Sequence, residues 1–315
     1  MDLCDEKKFI KLDEEVVINR DRRGDVRGFI RKGDDTMWLR DRTLGRGSYG
    51  SVELFRSNNS RYSDLAVKFP LAGVDNEEIR HEIKMVELFS RERCENLLQL
   101  GTLIDGDTKI IVMERLHGDL LDLPDSKSSD AVEIFIRFVL FISSAMTCAL
   151  KKGYYFMDIK LENIGWRMCR DGIRFTFIDF GSFFETDDEM SVTTLDINNM
   201  RKSNFTNEQS LIYGTCMTIL FVRLLTISDE KLEKFDKIFD KLQENKKYPD
   251  IDHLTKEYYE KILKTFHKLD NGKIVEPINV VFQALKKLTS KNSVNMNEDD
   301  VEKFLQNLRN SVTHY

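Results

Sequence analysis

The chain has 315 residues, of which 41% are hydrophobic and 32% charged, with a formal net charge of -6. That composition is ordinary for a globular chain with room for a sizeable core. The acidic balance argues against a nucleic-acid binder, which usually carries a clear positive excess. The five cysteines (Cys4, Cys94, Cys148, Cys169 and Cys216) are scattered, odd in number and form no CxxC pair. Their spacing predicts free thiols in a reducing compartment, cytoplasmic or nuclear, and neither a disulfide framework nor a zinc site. The N-terminal MDLCDEKKFIKLDEE is acidic and has no apolar core, so no signal peptide is expected.

Residues 1–36 are charged and aperiodic, with a basic cluster at Arg20, Arg22, Arg23, Arg27, Arg31 and Lys32. They are expected to form a solvated extension that packs loosely on the domain, with an interaction arm as the alternative. From Met37 the pattern turns β-like. MWLRDRTLG and SVELFRS flank a glycine-rich turn, and DLAVKFP is a further strand. EEIRHEIKMVELFS has a helical period that puts Ile79, Ile83, Val86 and either Leu88 or Phe89 on one side. LLQLGTLI and KIIVMERL then read as two strands joined by a turn over Asp105–Thr108. Beyond Pro124 the chain is largely helical, apart from a loop and short-strand region over Phe156–Phe184. Ile134–Leu150 approaches the roughly 20 apolar residues a membrane span needs. Arg137 and small polar residues interrupt it, so a buried helix is expected and no membrane span. Near the end, Asn297 is placed to cap a helix whose apolar stripe is Val301, Phe304, Leu305 and Leu308. The fold class predicted is α+β: an antiparallel sheet with one main helix over 37–117, then a mostly helical region over 118–315.

The chemistry begins at Gly45, Gly47 and Gly50, a GxGxxG pattern. In a dinucleotide fold such glycines open a helix. Here the β-like SVELFRS comes next, so the turn joins two strands, and its amides can approach phosphate oxygens with no Cβ in the way. After this hairpin, Lys68 in AVK can reach the α- and β-phosphates of a nucleotide and needs a carboxylate to hold it. Of Glu77, Glu78, Glu82 and Glu87, Glu82 is chosen for its place just before the apolar period, with Glu78 in reserve. In MDIKLENI, Asp158 can accept a hydroxyl proton, Lys160 can neutralise a γ-phosphate, and Asn163 offers an amide oxygen to a metal. In IDFG, Asp179 adds a hard carboxylate oxygen.

Taken in order, GRGSYGSV, AVK, HEIKMVEL, VMERLHGDL, MDIKLENI and IDFG resemble the eukaryotic-type protein kinase superfamily, over residues from about 38 to 184. The resemblance implies a bilobal fold with the lobes at 37–117 and 118–315. It implies ATP as substrate, magnesium (or manganese) as the metal, and a protein carrying a serine or threonine acceptor as partner. It would put Val52 and Ala66 over the adenine, Met113 at the back of that pocket, Glu114 to Leu116 at the hinge, and Asp119 near the ribose. Lys160 resembles the serine/threonine subgroup, and Glu162 sits where kinases that prefer basic substrates often carry a carboxylate.

The chain also departs from the family. Phe156-Met157-Asp158 stands where His-Arg-Asp is usual. Phe156 is expected to fill the histidine's place in an apolar column with Phe180, Val86 and Leu100. Met157 cannot bind a phosphate as the arginine does, so activity independent of activation-loop phosphorylation between Ser182 and Thr206 is expected. Ala-Pro-Glu is absent, and Gln209 replaces an aspartate five residues before Gly214. Such divergence resembles kinases of large DNA viruses and bacterial effectors, which would act inside a host cell. The rival functions are a pseudokinase scaffold or allosteric partner and a small-molecule kinase of the aminoglycoside or choline type. The retained Lys68, Glu82, Asp158, Asn163 and Asp179 favour an active protein kinase.

Overall fold

The structure, a computed structural model, describes residues 16–46, 50–70, 77–91, 94, 100–105, 108–123, 130–187, 206–244, 256–270, 276–288 and 296–314. In chain order the strands are β1 (Val16–Arg20), β2 (Val26–Arg31), β3 (Met37–Arg46), β4 (Gly50–Ser57), β5 (Leu65–Pro70), β6 (Leu100–Asp105), β7 (Thr108–Glu114), β8 (Gly118–Asp119), β9 (Tyr154–Phe156), β10 (Ile164–Cys169), β11 (Gly172–Phe177) and β12 (Phe183–Glu185). The helices are α1 (Glu77–Arg91), α2 (Asp130–Leu150), α3 (Asn207–Leu225), α4 (Asp229–Glu244), α5 (Lys256–Asp270), α6 (Glu276–Leu288) and α7 (Glu298–Asn310). The mixed α and β content agrees with the predicted α+β class. The chain divides into two compact units. One comprises residues 1–118 and 165–181, the other 119–164 and 182–315. After residue 164 the chain returns to the first unit for seventeen residues, the β10–β11 hairpin and the segment after it.

The first unit is built on a seven-stranded antiparallel sheet in the order β1-β2-β3-β4-β5-β7-β6. Its β-branched and aromatic residues alternate between the two faces, as strand geometry requires. One face gathers a core of Val26, Phe29, Trp38, Phe55, Leu65, Val67, Ile110 and Val112. Two of these residues come from the segment expected to pack loosely. Strands β1 and β2 form a hairpin that adds Val26 and Phe29 to the core. Its arginines on the outer side obscure the alternation in the sequence.

The β1–β2 turn is organised by Asp21, which accepts the backbone N–H of Arg23 at 2.8 Å and of Asp25 at 3.1 Å and the Arg27 guanidinium at 2.6 Å. Gly24 closes the turn at φ 88°, where a side chain would be strained. The Arg27 guanidinium above all holds the Asp21 carboxyl below the usual carboxylate range. Such a depressed carboxyl contributes its full stabilisation above its unfolded pKa and loses it as pH falls through the folded value. Asp21→Ala should therefore raise amide hydrogen exchange across residues 16–31 at neutral pH while β4 and β5 keep their protection. Unchanged exchange in the hairpin would remove Asp21 from this role.

In the second unit, α3 is buried along most of its length and packs against α2, α4, α5, α6 and α7. It begins with a capping box: Gln209 N–H donates to Thr206 Oγ1, and Thr206 N–H donates to Gln209 Oε1 at 2.9 Å. The predicted Asn297 cap and the stripe of Val301, Phe304, Leu305 and Leu308 are both present in α7, with all four apolar residues buried. Helix α2 is, among the described residues, the one helix long and apolar enough to cross a membrane. Of its most apolar window, 56% is buried inside the protein, so no clear span is indicated.

The cysteines correct an expectation. Cys94, Cys148 and Cys169 are disulfide-bonded, while Cys216 is a buried free thiol. Spacing along a chain does not report which thiols meet in space, and a reducing compartment loses the support that the spacing lent it.

Candidate functional site

Each unit presents its own set of the predicted residues. In the first, β5 carries Lys68 on the sheet face opposite the apolar core. Val52 is in register with Lys68 across β4–β5, Ala66 lies two residues back, and Met113 is in register with Ala66 across β5–β7. All four therefore share one face. Helix α1 buries Met85, Val86 and Phe89 and brings Glu82 to this face. Glu82 grips the Lys68 ammonium with both oxygens, at 2.6 and 2.7 Å. Burial pushes the Glu82 carboxyl above its ordinary range. The Lys68 charge opposes that shift, and the Asp179 charge adds to it. Asp179 thus belongs to the same electrostatic neighbourhood, with its Oδ1 accepting Gly181 N–H at 3.3 Å. Gly181 packs beside Glu82, and Phe180 meets Phe89 of α1 edge-on at 6.1 Å.

The glycines of the hairpin divide by role. Gly50 is buried where β4 and β5 approach closely, and a Cβ there would collide with the Phe69 carbonyl. A Cβ at Gly45 would meet nothing within 4 Å, so that position faces open space. Gly47 lies outside the described residues. Nearby, the buried Glu53 ties the hairpin together through Arg40 at 3.0 Å and the Thr43 hydroxyl at 3.1 Å. Further along, Glu114 is buried and its carboxylate is paired with Arg167 of β10. The Leu116 side chain lies over Gly165, where any Cβ would overlap Leu116 Cδ1 and Ile178 Cγ2.

In the second unit, the loop after β9 holds Asp158, Lys160 and Asn163. Lys160 Nζ reaches Asp158 Oδ2 at 2.7 Å, and Asn163 Nδ2 donates to the same oxygen at 2.8 Å. Both bonds end on Oδ2. Oδ1 takes no hydrogen bond among the described residues, although the residue is only 9% exposed. Asn163 donates through its nitrogen, which turns its amide oxygen the other way. Asp119 caps the short 3-10 turn Leu120–Asp122 by accepting Leu121 N–H at 2.8 Å, and burial raises its carboxyl. Phe156 stacks edge-on with Phe183 at 5.0 Å, its partner across β9–β12. Of the column expected around it, the Leu100 side chain lies outside the described residues, while Phe180 and Val86 belong to the first unit. Most of the predicted activation segment, 188–205, is also outside the described residues.

Two features of this site were missed from the sequence. Gln209, read as a lost aspartate, is the second half of a capping box that T-x-x-Q at 206–209 announces. Thr218 donates its hydroxyl to the Ile159 carbonyl inside the Asp158 loop at 3.1 Å, a contact across 59 positions with no local signal.

Among the described residues no three or more His, Cys, Asp or Glu side chains gather as a metal cluster. Asn163 in the second unit carries an amide oxygen and Asp179 in the first a carboxylate, each by itself a donor of the hard type that magnesium takes. Comparison with protein-family models gives no match, and comparison with curated proteins gives none either.

Proposed function

We infer that this chain is a protein kinase of bilobal, kinase-like fold that transfers the γ-phosphoryl group of ATP to serine or threonine hydroxyls of other proteins. The Lys68–Glu82 pair carries this conclusion. A strand lysine is held by both oxygens of one buried glutamate fourteen residues on, and it shares a face with Val52, Ala66 and Met113. An ammonium fixed in this way is ready for charge-assisted bonds to α- and β-phosphates. The second unit supports the same function. Asp158 would accept the acceptor hydroxyl's proton, and Lys160 would meet the charge of the transferring phosphoryl. Magnesium, or manganese, would be held by Asn163 and Asp179 and, when bound, neutralises phosphate charge. Phosphoryl transfer in this form requires both units to act on one nucleotide. A setting in the cytoplasm or nucleus, or a host-cell interior, now rests on the resemblance to kinases alone and not on the cysteines, and no nucleic acid is proposed as partner.

The test is transfer of radiolabel from γ-labelled ATP to casein and myelin basic protein in magnesium buffer, with Lys68→Met alongside. Wild type should label serine and threonine, and Lys68→Met should lose at least about 100-fold, the scale of one strong charge interaction made in the transition state. Nucleotide binding without transfer would replace the enzyme with a scaffold. Consumption of ATP in the presence of aminoglycosides or choline, with no protein labelled, would point to a small-molecule acceptor.

A further inference from the structure

A threonine or serine inside a helix usually turns its hydroxyl back to a carbonyl of the preceding turn. Ser143 in α2 does this, donating to Val139 O at 2.8 Å, and so does Thr215 in α3, donating to Leu211 O at 2.7 Å. Thr218 sits one turn of α3 further on and does otherwise. Its hydroxyl leaves the helix and donates to Ile159 O at 3.1 Å, with both residues buried.

Ile159 lies between Asp158 and Lys160, and the neighbouring carbonyls show what the Thr218 bond adds. Asp158 O accepts Asn163 Nδ2 at 3.0 Å, and Lys160 O accepts Asn163 N–H at 3.1 Å. Both bonds are internal to the loop and fix its shape. The Ile159 carbonyl is the one of the three bonded to a separate element, so this bond fixes where that shape sits. Gly214 lies one turn before Thr218 on the same face of α3. A Cβ there would stand 3.9 Å from Ile159 Cβ, so the Ile159 side chain rests on the helix at the point where the carbonyl is held. Helix α3 in turn packs against each of the other described α-helices of its unit, which makes it a rigid reference for the loop.

The geometry points to Thr218 as a positioning residue: its hydroxyl sets the placement of Asp158 by holding the Ile159 carbonyl to α3. This rests on the kinase function proposed above. Displacement of a reacting group by about 1 Å can cost about 100-fold in rate without touching substrate binding.

The experiment compares Thr218→Val, which keeps the bulk and removes the hydroxyl, with Thr218→Ser, which keeps the hydroxyl. In Thr218→Val, kcat should fall about 10- to 100-fold while KM for ATP stays within about twofold. Thr218→Ser should restore kcat to within about threefold of wild type, and amide exchange should rise in peptides covering 156–164 of the Val variant alone. Wild-type kcat in Thr218→Val would overturn the proposal, as would equal losses in Val and Ser or a rise confined to KM. Should Thr218→Val fail to fold, Thr218→Ala takes its place with the same criteria. A wild-type chain that transfers no phosphoryl group would sink the proposed function. The exchange data then decide alone: protection of 156–164 unchanged by loss of the hydroxyl overturns the role of Thr218, and protection lost in Val but kept in Ser upholds it.

Discussion

Asp158→Asn is expected to lower kcat for phosphoryl transfer by roughly 100- to 10,000-fold, the range over which a positioned general base contributes. The fold should be spared. Lys160 and Asn163 both bind Asp158 Oδ2, and an amide oxygen in that place accepts both bonds. What the variant loses is the charge and the basicity of Oδ1, the oxygen turned away from those partners. KM for ATP should stay within a few fold, and the thermal midpoint within a few degrees. Initial rates over a range of ATP concentrations, with a melting curve, separate the two effects. Retention of more than about a tenth of kcat would remove Asp158 from the role of base.

Arg223→Ala is expected to cost about 3–5 kcal/mol, the usual effect of stripping one partner from a buried ion pair. Arg223 on α3 donates through Nε to Oδ1 of Asp270, the last residue of α5, at 3.0 Å, with side chains 5% and 1% exposed. The guanidinium also lies over the Phe135 ring at 5.4 Å. The match is incomplete, because Arg223 Nη1 and Asp270 Oδ2 are buried with no hydrogen-bond partner among the described residues. A pair satisfied on one side only bears most of its desolvation cost for a single good bond. The double variant Arg223→Met, Asp270→Leu should therefore recover most of the loss, and urea unfolding of the single and double variants measures it. A double variant as unstable as Arg223→Ala would show that the pair holds the fold by more than mutual neutralisation.

The legible parts of this molecule were those where local pattern and tertiary role coincide. Strands β3, β4 and β5 announce themselves by alternation around a glycine-rich turn. Glu82 could be chosen among four glutamates for its place just before the apolar period of α1, and it is the one seen to pair with Lys68. Asn297 and its stripe obey rules confined to a dozen residues. The β1–β2 hairpin was not legible, because arginines and aspartates on its outer side outnumber the two inward residues, Val26 and Phe29, that join the core. The Arg223–Asp270 pair and the Thr218–Ile159 bond each join positions 47 or 59 apart, and nothing in the intervening sequence encodes them. The return of 165–181 to the first unit escaped for a related reason. Strand signals show that a hairpin exists, but not which core it joins.

That return bears on how the protein is made. A ribosome delivers the chain from its N-terminus, and domains tend to fold as they emerge. The first unit cannot be complete when residue 118 appears, because Arg167, the counter-ion of Glu114, and Phe180, the neighbour of Phe89, are still unsynthesised. By the time Gly181 has been added, α2 and the loop bearing Asp158 already exist, while α3, which anchors that loop, does not. The sheet is thus the earlier unit to be finished, and the loop bearing Asp158 waits through synthesis for a helix that begins twenty-six residues later.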